Sequence, residues 1–152
     1  MIKINVEVNN KSWHKKIKNS KQYFNKKLKK IPKFIPFLKK KNAVFTILLT
    51  NSLNIKKLNK KFRNCNKATD ALSFPAFETS NLKVDKKNFI YIGDIAVSYE
   101  IINKRAKRNL FHTEFDKVWI HGLLHLVGYD HIKNKDFFKM SRTEKKILKS
   151  II

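Results

Sequence analysis

The 152-residue sequence predicts an α+β fold, a single layer-type domain over residues 1–152 with helices packed on a small mixed sheet. Two patterns and one bound lead there. Period-two alternation and helical periodicity take turns along the chain in the order strand, helix, strand, helix, strand, strand, then helices. A length of 152 residues with 42% hydrophobic content supports one sizeable core, with no linker or repeat that would divide it.

The elements follow from these patterns. Ile2, Ile4, Val6 and Val8 alternate with polar residues and predict a first strand. Trp13, Ile17, Phe24, Leu28 and Ile31 recur at helical spacing up to Pro32, whose ring cannot continue a helix, and Pro36 extends the turn. Ala43–Thr50 is a second strand, apolar enough to be central. Ser52 is placed to cap a helix that turns Ile55, Leu58 and Phe62 inward. A short strand around Ala71–Phe74 ends at Pro75, and 76–88 read as an irregular or hairpin connection. Phe89–Ser98 is a fourth strand, followed by a helix from Glu100 to about Asn109 with Ile101, Ile102 and Ala106 on one side. Thr113, with Glu114 and Asp116 in the first turn, opens a helix through Val127, acids lying at the positive end of the dipole. A last helix covers about Lys135–Ser150 with Phe137, Met140, Ile147 and Leu148 as its buried stripe.

The charge is lopsided. Lys and Arg number 35 against 11 Asp and Glu, a net +24, of which +19 falls in residues 1–69, where Glu7 is the single acid. Lysine runs at 26–30 and 39–41 suit a phosphate-facing surface. The same excess suits a compositional bias, since the bases are 31 Lys and four Arg in a chain rich in Asn and Ile. The longest apolar stretch, Ala43–Leu49, falls far short of the ~20 residues of a membrane span, and the N-terminus lacks a secretory apolar run. A single cysteine, Cys65, agrees with a reducing compartment, so a cytoplasmic protein is expected, without membrane association.

The strongest chemical signal is His121-Gly-Leu-Leu-His125-Leu-Val-Gly-Tyr-Asp-His131. His121 and His125 are four apart, so on a helix they project from one face. Gly128 follows one turn later, where a left-handed residue can reverse the chain and return His131 as a third ligand. Three imidazoles and a fourth position open to water are the catalytic pattern of a zinc site. The same spacing occurs in metzincin proteases, which carry a Glu base after the first His, whereas this chain has Gly122 there, so the helix is zincin-like without the protease base. Gly122 in mid-helix implies close packing or open space beside the metal.

With Leu58-Asn59-Lys-Lys-Phe62-Arg63, Thr69-Asp70-Ala71-Leu72-Ser73-Phe74-Pro75 and Ile92-Gly93-Asp94-Ile95, the histidine segment resembles the YbeY family of metal-dependent endoribonucleases. Ala68 departs from the proline that the family commonly has before Thr-Asp. The resemblance implies that His121, His125 and His131 bind one Zn²⁺ per chain, with Arg63 the functional arginine of the cleft. It further implies a zinc-dependent, single-strand-specific endoribonuclease maturing the 3′ end of small-subunit ribosomal RNA, with an RNA precursor and the small ribosomal subunit as partners and no DNA. Chemistry agrees: zinc activates a water and polarises a phosphate oxygen, and a guanidinium forks onto two phosphate oxygens, so His121 and Arg63 are the expected catalytic residues, Arg63 also binding substrate. Three carboxylates are candidates for supporting roles. Asp130 either holds an imidazole or caps the turn, Asp70 either positions Arg63 or stabilises its own loop, and Asp94 either meets substrate or is a buried structural acid. The competing reading is a ribosome-assembly or RNA-binding factor with a structural zinc, and a peptide or small-molecule zinc hydrolase is a lesser one.

Overall fold

The computed structural model describes residues 1–79, 83–106 and 110–152, with the Thr79 side chain left aside. Four strands, β1 (Ile2–Val8), β2 (Asn42–Thr50), β3 (Ala71–Pro75) and β4 (Phe89–Ser98), form one mixed sheet in the order β1-β2-β4-β3. The pairs β1–β2 and β2–β4 are parallel, whereas β3 runs antiparallel to β4 at the edge. Among the described residues six helices accompany them: α1 (Ser20–Leu28), α2 (Pro36–Lys40), α3 (Ser52–Arg63), α4 (Tyr99–Arg105), α5 (Phe111–Leu126) and α6 (Asn134–Ile151). The α+β class and its small mixed sheet are as the periodicities predict.

Alternation along β2 separates two cores. Ala43, Phe45, Ile47 and Leu49 point into the larger one, with Phe24 of α1 and with Phe115, Trp119 and Leu123 of α5. The opposite face carries a small cluster of Ile55 from α3, Leu72 and Ala96, with Leu48, Leu58 and Phe74 packed against it. A bulge lets β4 serve the larger core along its length: Val44 pairs with Tyr91 and Phe45 with Gly93, skipping Ile92, so that Ile92 and Ile95 both reach it although three residues apart. Gly93 at this point has φ +132°, and a Cβ there would lie 2.3 Å from the Phe74 carbonyl oxygen.

Several elements differ from the sequence expectation. The stripe from Trp13 to Ile31 is buried, but not by one helix. Lys11–Lys15 form a 3₁₀ turn opened by Asn10, which accepts from Ser12 N, and α1 starts afresh at Ser20, where Asn19 caps it by accepting from Gln22 N. Trp13 instead anchors an aromatic cluster with Tyr99, Phe111 and Phe115 and donates to the Thr50 carbonyl oxygen at 2.8 Å. Asn51, not Ser52, supplies the cap of α3. Thr113 is not a cap either, since α5 begins at Phe111 without a capping side chain. Asp116 is buried there, accepting from Tyr23 Oη at 2.7 Å and Trp119 Nε1 at 2.9 Å and pairing with Lys27, which ties α1 to α5. Phe137 is half-exposed, and the buried stripe of α6 runs instead from Met140 through Ile147 to Ile151. Part of the 76–88 connection and the end of the helix expected to reach Asn109 lie outside the described residues; Ala76–Thr79 form a 3₁₀ turn, and Val84 bridges to Ile90.

Candidate metal centre and cleft

Helix α5 lies across β3 and β4 and delivers His121 and His125 from one face near its C-terminal end. Close packing accounts for Gly122: a Cβ would meet Ser73 Oγ at 3.0 Å and Ile95 at 3.1 Å, and Ser73 Oγ donates to the Gly122 carbonyl oxygen at 3.2 Å. After Leu126 the chain turns at Gly128, with φ +93° and nothing within 4 Å of a Cβ, so it is backbone conformation that favours glycine. The turn brings back His131, and one ring nitrogen from each of the three histidines lies within 4.8 Å of the others.

Hydrogen bonds around the rings decide what fits between them. His121 Nδ1 faces Glu144 Oε2 of α6 at 3.1 Å, and His125 Nδ1 faces the Tyr129 carbonyl oxygen at 3.0 Å. An ionised carboxylate and a carbonyl accept only, so each Nδ1 carries the proton and, with neutral rings, each Nε2 carries a lone pair. Those two Nε2 atoms face each other at 3.1 Å. Burial first, and the neighbouring His121 second, push the His125 pKa below its ordinary value, which disfavours an added proton there. A cation answers the facing lone pairs, and two nitrogens at about 2.0–2.1 Å from a tetrahedral zinc stand about 3.3 Å apart. The residues therefore fit a metal.

The cluster opens onto a cleft of about 920 Å³ that runs along the edge strand β3 to the C-terminal end of α3, with Arg63, Asp70, His121, His125, Asp130, His131 and Glu144 among its walls. Arg63 Nη2 donates to the Ser73 carbonyl oxygen at 2.6 Å and its guanidinium lies 5.7 Å from the centre of the Phe74 ring. Its side chain is thus held at the rim by main chain and ring, with donors to spare.

The sequence model of the endoribonuclease YbeY family matches residues 7–152. Endoribonuclease YbeY of Pelagibacter ubique is 52% identical over 153 residues, covering 99% of this chain and 97% of that protein. The protein of the same name from Buchnera aphidicola is 38% identical, covering 94% and 84%. The chain belongs to the endoribonuclease YbeY family. The solution structure of TM1509 from Thermotoga maritima resembles this YbeY-family fold with a TM-score of 0.58 at 28% identity, covering 99% of this chain and 89% of that one.

The remaining candidates of this YbeY-family chain separate clearly. Asp130 accepts from the main-chain nitrogens of His131 at 2.6 Å and Ile132 at 3.3 Å, so it caps the turn and does not hold an imidazole. Asp70 accepts from Arg105 Nη1 at 2.7 Å and from Ala71 N at 2.7 Å, stabilising the start of β3 and not contacting Arg63. Asp94 is exposed instead of buried, bonded to the Tyr91 hydroxyl and outside the cleft walls. Glu144 escaped the sequence reading. Its only signal is an acid on an otherwise Lys-rich turn of α6, and 23 residues separate it from the histidine it holds.

Proposed function

We propose that this endoribonuclease is a single zinc-dependent hydrolase domain, residues 1–152, that binds one zinc per chain and cuts single-stranded RNA. We place it in the cytoplasm, acting on ribosomal RNA precursors at the 3′ end of the small-subunit RNA and in association with the small ribosomal subunit. The observation that carries the metal-dependent reading is the pair of Nε2 atoms facing at 3.1 Å, their Nδ1 protons already given to acceptors. When bound, zinc supplies an activated water and polarises a phosphate oxygen. His121, His125 and His131 would hold it. Glu144 fixes the ring and tautomer of His121, while the Tyr129 carbonyl does so for His125. Arg63, at the rim of the same cleft, offers its unused N–H donors to the phosphodiester and stabilises the charge that grows on its oxygens in the transition state. Gly122 stands where the protease motif carries its Glu base, so the metal helix itself supplies no such carboxylate. An open cleft beside three ligands favours a catalytic over a structural site, which would be closed by a fourth.

Metal analysis and RNA cleavage test this together. The purified chain should hold about one zinc, and His121→Ala combined with His125→Ala should lose both zinc and cleavage of a labelled single-stranded precursor. Arg63→Glu should keep the zinc and lose cleavage. Cleavage by the double variant at the wild-type rate would overturn the reading, and salt-sensitive binding without cleavage by any form would favour the assembly factor.

A further inference from the structure

Beyond the Arg63 rim of the cleft stands an aromatic surface that the cleavage chemistry does not use. Phe62, the next-to-last residue of α3, is 59% exposed, although helical periodicity would turn it inward with Ile55 and Leu58. Its ring meets Phe74 of β3 edge-to-face at 5.3 Å between centroids. Two cations flank the pair: Lys61 Nζ lies 5.2 Å from the centre of the Phe62 ring, and the Arg63 guanidinium 5.7 Å from that of Phe74. Phe74 packs against the small core, and Arg63 belongs to the cleft, so the exposed ring of Phe62 is supported from below through Phe74 and joined to the site through Arg63.

An exposed aromatic ring packed against a second ring and set beside cations is what a single-stranded nucleic acid recognises: bases stack on the ring while phosphates take the charges, and a duplex, whose bases are already stacked, gains nothing. We infer that Phe62, supported by Phe74 and flanked by Lys61, is a nucleobase-stacking subsite that holds an unpaired base next to the phosphate bound at Arg63. The inference rests on the endoribonuclease reading and gives its single-strand preference a residue. Phe62 is a positioning residue, since it touches a base and not the reacting atoms.

The test is binding of a fluorescein-labelled ten-nucleotide single strand, 2′-O-methylated, to the zinc-loaded protein, followed by anisotropy. Phe62→Ala should weaken binding by about 5- to 150-fold, the range that one lost base stack spans. Phe62→Leu, which keeps apolar bulk, should weaken it nearly as much, and Phe62→Trp should restore it. Strands carrying one abasic position, moved along the sequence, should lose affinity at one position with the wild type and show no such loss with Phe62→Ala. Duplex RNA should bind all four proteins alike. Wild-type-like binding by both Phe62→Ala and Phe62→Leu, or an abasic profile that Phe62→Ala leaves unchanged, overturns the stacking site while leaving the nuclease reading intact. Failure of the wild type itself to bind or cleave single-stranded RNA overturns the nuclease reading, and this site with it.

Discussion

Glu144→Ala should weaken zinc binding about tenfold while leaving all three histidines in place. The carboxylate accepts the His121 Nδ1 proton at 3.1 Å, which makes Nε2 the metal-facing atom and raises its basicity. Loss of such a partner typically costs 10–100-fold in metal affinity. The low end applies because the side chains of His121 and Glu144 are 42% and 22% exposed, so water can take over part of the carboxylate's role. Tenfold corresponds to about 1.4 kcal/mol. Glu144→Gln, which still offers a neutral acceptor, should fall between Glu144→Ala and the wild type. Tyr129→Phe is the control, since His125 is held by the Tyr129 main-chain carbonyl, which that substitution keeps. Competition against a chromophoric chelator at neutral pH measures all four proteins, and melting curves without metal check that the fold is unchanged. Affinity of Glu144→Ala within about twofold of the wild type would refute the assignment of tautomer and the role of α6 in the site.

Asp116→Ala should destabilise the fold by about 3–5 kcal/mol in urea unfolding, because it strands Lys27, Tyr23 Oη and Trp119 Nε1 at a place where the Lys27 side chain is only 15% exposed and that of Asp116 8%. Gly128→Ala should cost about 1–2 kcal/mol from the left-handed backbone alone, since a Cβ there meets nothing, and should weaken zinc binding if it shifts His131. Tyr91 should ionise late: burial first and the hydrogen bond to Asp94 second push its pKa up to about 12. Because the folded value lies above the unfolded one near 10, its contribution to stability is complete below pH ~10 and is lost as the pH rises toward 12. Difference titration at 295 nm between wild type and Tyr91→Phe reads that pKa, and Asp94→Asn should lower it.

Legibility in the sequence followed the range of the interaction concerned. Strand β1 announces itself because alternating residues report a sheet with two different faces, and β2 because its apolar run suits a central strand, whose Ala43, Phe45, Ile47 and Leu49 do point into the large core. The histidine spacing likewise carries its own geometry, as i and i+4 on a helix followed by a glycine turn. What escaped was decided elsewhere. Asn19 restarts a helix in the middle of an apolar stripe, a contest between a side-chain cap and a continuous helix that periodicity does not register. Phe62 keeps the inward-facing period of α3 yet emerges at its end, where the small core on that face of the sheet no longer covers it. Glu144 meets His121 only because α6 folds back against α5, and Asp130 is a turn cap because its own main chain is nearer than any ring.

The +24 charge is the feature that the fold reinterprets most. Sequence alone places +19 of it in residues 1–69, together with Arg63, and invites the expectation that this half grips the phosphates at the site. Sheet order separates the two. Strand β1 and its companion α1 lie at one edge, whereas the cleft follows β3 at the other. Among the described residues the cleft walls hold Arg63, Lys67, Arg105 and Lys117 against five Asp or Glu, close to neutral. Lys27, one of the N-terminal run, is spent on Asp116. The lysine-rich flank of α1 and α2 therefore contributes to the protein's field, which attracts a polyanion over several ångströms and fades with salt, and not to the walls of the site. At a phosphate inside the cleft, where acids and bases nearly cancel, the Arg63 guanidinium and whatever charge the three histidines hold have few local competitors. This division assigns affinity to the outside of the molecule and choice of reacting phosphate to its cleft, and it holds whether the lysine excess was selected or came with the composition.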